Sequence, residues 1–239
     1  MRSRIAVLAS GGGSNLQAIL EHFESLGDNR AGDVVVVASD RANAGALDRA
    51  SHRRVPTAVL ANAKNPNGAA LDILLDDQQI DLVVLAGYLR LVPPAIVAKY
   101  DGRMINVHPA LLPSFGGPGM YGQHVHHAVI DSGARVSGVT AHFVNSDYDR
   151  GCIIAQWPVP VFPSDDAGTL AARVLRVEHM LYPRVVDAVA GGRISLASCS
   201  LSDHNSLIDT RPSFTLLPHD DSRLTENIDL ALGQLIANG

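Results

Sequence analysis

An asparagine and a histidine stand two residues apart at the end of an apolar run, in the stretch INVHPALLP that spans residues 105–113. Residues two apart on a β-strand project from the same face, so the side chains of Asn106 and His108 would converge. An amide N–H can stabilise an oxyanion, and an imidazole can move a proton or add positive charge. The pair is therefore a candidate catalytic centre, although capping or turn hydrogen bonds would account for it equally well.

A third group would be needed to orient or charge the imidazole, and the stretch NSDYDRG offers two carboxylates, Asp147 and Asp149. Clusters of Asp, Asn and Gly in a loop ordinarily serve turn formation. The residue types alone leave both interpretations open.

A glycine-rich turn, ASGGGSNLQAIL at residues 9–20, follows the first apolar run. Glycines allow close backbone approach, and the free N–H groups at a helix start favour an anion such as phosphate. A tight turn with Ser14 or Asn15 as the helix cap is the alternative. The spacing does not complete the G-x-G-x-x-G fingerprint of a dinucleotide site, although Asp40 follows the second apolar run, where a ribose-binding acid would lie.

Three histidines in GQHVHHAV, namely His124, His126 and His127, raise the question of a metal site. Their directions on a helix would diverge, and the sequence has no HExxH spacing or matching cysteine set. A role in lining or orienting a pocket is the favoured interpretation, and no metal is expected.

The elements that must position these residues alternate β-branched runs with helical patterns, as is typical of parallel strands joined by crossover helices. Runs such as VVVVA and LVVLA are apolar at successive positions, as expected for strands covered on both faces. Strands are predicted at residues 4–9, 33–38, 57–60, 81–86, 104–107, 136–144 and 153–161. Helices are predicted at residues 15–25, 44–53, 69–79 and 94–100, with a long one starting near Asp165 and Asp166 and running towards residue 190.

This order predicts an α/β fold, Rossmann-like, with a mostly parallel twisted sheet flanked by helices and an antiparallel extension after about residue 135. Residues 1–193 would form one catalytic domain. Residues 194–239 have weaker periodicity until ENIDLALGQLIA, so we expect a C-terminal extension rather than a second domain.

The composition excludes several partner classes. With 19 basic and 24 acidic residues, the chain has no excess positive charge to neutralise a nucleic-acid backbone or an anionic membrane. Cys152 and Cys199 lack the paired spacing of a zinc or redox site. No apolar run has the length of a membrane span or a signal-peptide core, so we expect a soluble cytoplasmic protein.

Three separated parts of the chain together resemble one family: SGGGSNLQAI near the start, LAGYLRLVP with INVHPALLPSF in the middle, and GVTAHFVNSDYDRGCIIAQ later. They are similar to the phosphoribosylglycinamide formyltransferases over roughly residues 4–192. The motif N-x-H-P-x-L-L-P alone is shared by the wider group of folate-dependent formyltransferases.

The resemblance implies that Asn106, His108 and Asp149 are the catalytic residues. Asp149 is preferred to Asp147 because the family places its acid directly before the glycine-containing turn, here DRGCIIAQ. One departure is Arg150, since the family has a small residue after this acid, and its guanidinium could pair with Asp149.

The resemblance also implies two binding sets. The substrate-binding set comprises Gly13, Ser14, Asn15, Gly87, Pro109 and Glu178. The folate-binding set comprises Arg90, Leu91, Val92 and Asn106. In NAKNPNGAALD, where related enzymes often have an arginine, the nearest cation is Lys64.

The implied activity is formyl transfer from 10-formyltetrahydrofolate, a cosubstrate, to the amine of glycinamide ribonucleotide in purine biosynthesis. The partners would be these two small molecules, with no metal, nucleic acid or membrane, and the protein would be a monomer or homodimer. The alternatives are a formyltetrahydrofolate hydrolase, which usually carries an N-terminal regulatory domain, and a nucleotide-binding module without catalysis. A methionyl-tRNA formyltransferase would need a C-terminal nucleic-acid-binding domain, for which this tail is too short and acidic.

Overall fold

The fold is built around one seven-stranded sheet, in a computed structural model that describes residues 1–60, 68–197, 225–230 and 232–233. The strands are β1 Ser3–Leu8, β2 Gly32–Ser39, β3 Thr57–Val59, β4 Leu82–Leu85, β5 Met104–His108, β6 Val136–Phe143 and β7 Ile153–Pro160. The helices are α1 Ser14–Leu26, α2 Gly45–His52, α3 Ala69–Asp77, α4 Pro94–Lys99, α5 Gln123–Asp131 and α6 Ala167–Ala190, and a short 3-10 turn spans Gly27–Asn29.

The strand order is β3-β2-β1-β4-β5-β6-β7. Neighbouring strands from β3 to β5 pair in parallel, whereas β6 pairs antiparallel with β5, and β7 pairs antiparallel with β6. The predicted mixed sheet and its antiparallel extension are confirmed. The carboxyl ends of β4 and β5 lie side by side, with Leu85 paired to Asn106, so the polar end of β5 sits at the edge where α/β proteins bind ligands.

Alternation along the strands gives the sheet an apolar layer on each face. On β1, Ile5 and Val7 belong to the larger core, which also contains residues of α1 and α6, whereas Ala6 and Leu8 belong to the smaller core beneath α3 and α4. All four residues are fully buried. This double burial explains why the strands read as continuous apolar runs rather than alternating ones.

Helix α6 begins at a capping box and is fixed to the sheet near the polar end of β5. The Asp166 carboxylate accepts from the Thr169 amide at 2.7 Å, and the Thr169 hydroxyl accepts from the Asp166 amide at 3.0 Å. Further along, the buried Tyr182 hydroxyl lies within hydrogen-bonding distance of two strand carbonyls, those of Leu85 at 2.9 Å and Ile105 at 3.2 Å. The helix therefore has a fixed position relative to the ends of β4 and β5.

Part of the predicted C-terminal extension returns to the larger core. Residues 225–230 are helical, Ile228 is fully buried, and Leu232 is 8% exposed. Asp229 forms an ion pair with Arg184 of α6. Most of the extension, including Cys199, and also Lys64 lie outside the described residues. Among the helices that are described, none is long and apolar enough to cross a bilayer.

Candidate active site

A cavity of about 660 Å³ opens at the carboxyl ends of β4 and β5. Its wall is formed by the loops after these strands, by the loop between β6 and β7, and by one side of α6. Ten residues implied by the resemblance line it: Asn15, Gly87, Arg90, Leu91, Val92, Asn106, His108, Pro109, Asp149 and Glu178. The sequence positions of these residues span 163 positions, so the fold brings distant segments together.

Asn106 is oriented by a histidine on the neighbouring antiparallel strand. The pairing of β5 with β6 places His142 directly opposite Asn106, and Asn106 Nδ2 lies 3.2 Å from His142 Nε2. His142 Nδ1 lies 2.8 Å from the Phe143 carbonyl, which can only accept, so we assign the imidazole proton to Nδ1. His142 Nε2 then accepts one N–H of the Asn106 amide, and the second N–H is left for a ligand in the cavity.

His108 is held by a backbone carbonyl on one side and faces a carboxylate on the other. Its Nε2 lies 2.8 Å from the Phe115 carbonyl, while its Nδ1 lies 3.7 Å from Asp149 Oδ2. Burial lowers the pKa of His108, and the Asp149 charge and the Phe115 carbonyl oppose that shift. The imidazole is thus mainly neutral at pH 7, and Nδ1 is the position that can gain a proton beside Asp149.

Asp149 is presented to both histidines by a tight turn. Its φ is +53°, its Oδ2 accepts from the Gly117 amide at 2.9 Å, and its Oδ1 lies 3.7 Å from His142 Nε2. Gly151 permits the turn, because a Cβ there would lie 1.7 Å from the Phe143 carbonyl oxygen. In the described part of the chain, the exposed Arg150 makes no ion pair with Asp149.

The proline-bracketed segment after His108 is tied to the antiparallel extension through one buried hydroxyl. Thr140 Oγ1 donates to the Ala110 carbonyl at 2.6 Å and accepts from the Leu112 amide at 3.0 Å. Gln156 Nε2 donates to the Leu112 carbonyl at 2.8 Å. These bonds satisfy the backbone of the segment and hold the loop that follows His108.

Where helices α1 and α6 border the cavity, a buried amide and a buried carboxyl face each other. Asn15 Nδ2 donates to Glu178 Oε2 at 2.6 Å, whereas Asn15 Oδ1 is buried and has no protein partner. Burial raises the pKa of Glu178 to about 7, against the opposing effect of the hydrogen bond from Asn15. The Asn15 amide oxygen therefore retains unused hydrogen-bonding capacity.

The glycine-rich turn leads into α1 without a side-chain cap, since Gly13 occupies the N-cap position. Gly13 has a φ of +76°, and a Cβ there would lie 2.6 Å from the Ala46 Cα, so backbone conformation and helix packing require this glycine. Gly13 and Ser14 do not line the cavity itself, whereas Asn15 does. The open start of α1 lies next to the Asn15 end of the cavity.

The predicted folate segment forms a wall that mixes apolar and charged groups. Leu91 is 46% exposed and Val92 is 3% exposed, while Arg90 Nε donates to Asp40 Oδ2 at 3.0 Å. Gly87, with a φ of +74°, turns the chain out of β4 into this wall. The wall presents exposed leucine surface to the cavity, which suits a flat apolar ligand.

The three histidines of α5 separate in direction, as expected on a helix. His124 is exposed and packs edge-on against Tyr121, with ring centroids 5.3 Å apart. His126 is buried and lines the cavity, and burial lowers its pKa to about 4. Of the three histidines interpreted as pocket-lining, His126 is the one that lines the cavity. In the described ranges, no group of three His, Cys, Asp or Glu side chains could hold a metal ion.

Sequence reasoning missed His142 as a site residue. A signal existed, because His142 stands two positions after Thr140 in the predicted strand and therefore shares one face of it. A lone histidine in an apolar strand is ordinarily a core residue, and its pairing with Asn106 depends on the register of two strands distant in sequence.

Comparison with known proteins identifies the family to which this chain belongs. Residues 3–186 match the model of the formyl transferase family. The chain belongs to the formyl transferase family. This family member is 44% identical over 197 residues to a protein of Vigna unguiculata named phosphoribosylglycinamide formyltransferase, chloroplastic, in a match that covers 81% of this chain. The match spans 62% of that relative's length.

Solved structures of formyl transferase relatives share the fold. A glycinamide ribonucleotide transformylase 1 from Symbiobacterium toebii is 39% identical, with a TM-score of 0.74 and coverage of 80% of this chain and 89% of that one. A formyltetrahydrofolate deformylase from Pseudomonas syringae is 27% identical, with a TM-score of 0.73 and coverage of 81% and 63%. The same architecture therefore occurs in a protein named a transformylase and in one named a deformylase.

Proposed function

We propose that this protein transfers the formyl group of 10-formyltetrahydrofolate to the amine of glycinamide ribonucleotide, a step of purine biosynthesis in the cytoplasm. The observation that carries the proposal is one cavity lined both by Asn106, His108 and Asp149 and by Asn15 with Glu178. The first group suits an acyl-transfer centre, and the second suits a polar substrate. Both small molecules would bind without a metal, to a monomer or a homodimer.

Direct attack of the amine is the step that the geometry supports. The amine nitrogen forms a bond to the formyl carbon, and the carbonyl electron pair moves onto the oxygen to give a tetrahedral intermediate. The free N–H of Asn106 stabilises that oxyanion. The bond from the formyl carbon to N10 of the folate then breaks, and the proton lost by the amine is delivered to N10.

His108 and Asp149 serve the proton movement. Burial keeps the His108 imidazole neutral in the free protein, and a negative oxyanion in the cavity favours a proton at Nδ1, the nitrogen that faces Asp149. The resulting imidazolium lies beside a carboxylate and can stabilise the oxyanion. Asp149 assists transfer of the amine proton towards the leaving nitrogen, directly or through water.

The two substrates occupy opposite walls in this proposal. The ribonucleotide extends from Pro109 and Gly87 to Glu178, with its phosphate at the uncapped start of α1 on the backbone of residues 13–15. The folate rests on residues 90–92. Asn106 lies where the two ligands meet.

The phosphate placement is tested by Ser14→Pro, which removes an N–H donor at the first position of α1, where proline is tolerated. We expect ribonucleotide affinity to fall about tenfold or more, as for a lost hydrogen bond to a charged group, with folate affinity nearly unchanged. Titration calorimetry with each ligand measures both values. Equal losses for the two ligands would refute the placement.

The activity itself is tested by a formyl-transfer assay that compares two acceptors, glycinamide ribonucleotide and water. We expect formylated ribonucleotide as the main product. Release of formate without ribonucleotide formylation would select the hydrolase, the alternative that the structural likeness to a deformylase favours. Folate and ribonucleotide binding without either product would select a binding module.

A further inference from the structure

Asp40, which follows β2 in the position of a ribose-binding acid, is committed to contacts inside the protein. Its side chain is 6% exposed. Oδ1 accepts from the Ser10 hydroxyl at 2.5 Å, and Oδ2 accepts from Arg90 Nε at 3.0 Å. Because both oxygens already have protein partners, Asp40 is not available to a ribose, and its contacts point towards a different role.

Ser10 extends these contacts into the wall of the cavity. Its amide donates to the Gly87 carbonyl at 3.0 Å, and its Oγ accepts from the Leu89 amide at 2.9 Å. Since the Ser10 hydroxyl hydrogen is directed to Asp40, the oxygen lone pairs are free to accept from Leu89. Ser10 and Asp40 together therefore fix three of the four residues from Gly87 to Arg90.

Side-chain packing anchors this wall at few points, of which Tyr88, packed against the smaller core, is one. Leu89 is 39% exposed and Leu91 is 46% exposed, so neither is held by a packed core. Gly87 has a φ of +74°, in the left-handed region, and a glycine restricts its own backbone least of all residues. The polar contacts to Gly87, Leu89 and Arg90 therefore add support that the two leucines do not provide.

We propose that Ser10 and Asp40 form a positioning network that holds residues 87–91 in place for the folate cosubstrate. The identity of the ligand rests on the proposed function. Neither Ser10 nor Asp40 lines the cavity, so the network acts through Arg90 and the backbone of Leu89. Its effect falls on folate affinity and leaves the acyl-transfer centre unchanged.

The charge of Asp40 is essential to the network. A carboxylate with 6% exposure is costly to bury unless it is paired, and Arg90 at 3.0 Å and Arg41 at 3.9 Å supply the opposite charge. Asparagine has the same shape but presents an oxygen on one side and an NH₂ group on the other. In Asp40→Asn, either Ser10 or Arg90 must therefore lose its acceptor.

Asp40→Asn is the main test. We expect the KM for 10-formyltetrahydrofolate to rise roughly tenfold, as for a lost charge-assisted hydrogen bond, with much smaller changes in kcat and in the KM for the ribonucleotide. The matched control is Asp33→Asn, which removes an ion pair with Arg30 away from the cavity and should leave all three constants unchanged. An unchanged folate KM, or equal changes in all three constants, would overturn the proposal.

Two further variants separate positioning from simple damage. Ser10→Ala removes the acceptor of the Leu89 amide by another route and should raise the folate KM in the same direction. If Asp40 acts through Arg90, the double variant Asp40→Asn with Arg90→Gln should bind folate about as weakly as Arg90→Gln alone. Fully additive losses would contradict that path.

Calorimetry with tetrahydrofolate keeps this test independent of the proposed activity. If the wild-type protein formylates no ribonucleotide, the proposed function fails, yet the ratio of tetrahydrofolate affinities between wild type and Asp40→Asn still decides the role of the network. Equal affinities, with both proteins folded by circular dichroism, would reject it.

Discussion

The two ends of the cavity satisfy their polar groups in opposite ways. At the strand end, the end formed by β5 and β6, Asn106 is oriented by His142, and His108 is held by a carbonyl and faces Asp149. At the helix end, the end formed by α1 and α6, Asn15 Oδ1 has no protein partner. The strand end is therefore preorganised before any ligand arrives, as oxyanion stabilisation requires, whereas the helix end is completed by what binds there.

This difference predicts different kinetic consequences. A residue at the strand end acts on a charge that exists only during the reaction, so its loss should lower kcat. A residue at the helix end contacts a group present throughout, so its loss should weaken binding.

The largest expected effect is at Asn106 and His108. Replacing either by alanine should lower kcat about a hundredfold or more, because each removes roughly 3 kcal/mol of transition-state stabilisation. The two side chains act on one intermediate, so the double variant should lose less than the product of the single losses. Steady-state kinetics measure this on variants whose circular dichroism spectra match that of the wild type. Near-normal turnover in either single variant would contradict the mechanism.

At the helix end, Glu178→Gln should change how the free energy of unfolding depends on pH. Burial raises the pKa of Glu178 to about 7. The contribution of the protonated carboxyl to the free energy of unfolding is therefore fully present below about pH 4.5 and is lost as pH rises through about 7. The loss amounts to about 3 kcal/mol by pH 9, and Glu178→Gln should escape it. Urea denaturation at pH 5, 7 and 9 measures the free energy of unfolding.

The control for that measurement is Glu21→Gln on α1, whose carboxylate is 58% exposed. It should follow the wild-type pH profile. Identical profiles for Glu178→Gln and the wild type would show that the carboxyl is already ionised at neutral pH without penalty. Ribonucleotide affinity should also fall in Glu178→Gln, with kcat less affected.

His142→Ala should have a smaller effect on turnover than loss of Asn106 itself. The Asn106 amide remains but loses the acceptor that orients it, so we expect kcat to fall on the order of tenfold. His142→Gln, whose side-chain oxygen can accept from Asn106, should recover part of the rate. A loss as large as that of Asn106→Ala would instead assign His142 a direct role in the chemistry.

The smallest effect on turnover is expected from truncation after Arg193, because no described residue beyond that point lines the cavity. The truncation also removes the buried Ile228 and Leu232, so the free energy of unfolding should fall by on the order of 3 kcal/mol. Thermal denaturation and kcat, measured on the same soluble preparation, separate the two effects. A loss of turnover by orders of magnitude in a folded truncation would mean that the extension completes the site.

The sequence predicted the sheet well because each central strand is an uninterrupted apolar run, and such runs form only when both faces are covered. The antiparallel extension and the family resemblance are likewise confirmed. Helix α5 was considered only for the directions of its histidines and its bounds were not predicted, because histidines and nearby glycines interrupt its apolar pattern. Only Val125, His126 and Val129 of that helix are buried.

The candidate site was predicted only in part, for a physical reason. Asn106 and His108 share a strand face, a relation that is local in sequence, and the resemblance supplied Asp149; the catalytic role of all three stays a prediction. The contact of His142 with Asn106 and the contacts of Asp40 with Ser10 and Arg90 depend on which strands and loops become neighbours. Residue spacing within a segment carries no information about that adjacency.

The late position of helix α6 in the sequence also sets the order in which the strand end and the helix end of the cavity can form during synthesis of the chain. Asn106 and His142 are 36 positions apart, whereas Asn15 and Glu178 are separated by 163. All seven strands have left the ribosome before α6 follows, so the nascent chain must carry the apolar face around Val139 and Val159 without its cover. Until α6 packs on this face, the nascent chain exposes apolar surface of the kind that chaperones bind. The helix end of the cavity forms only when α6 has packed.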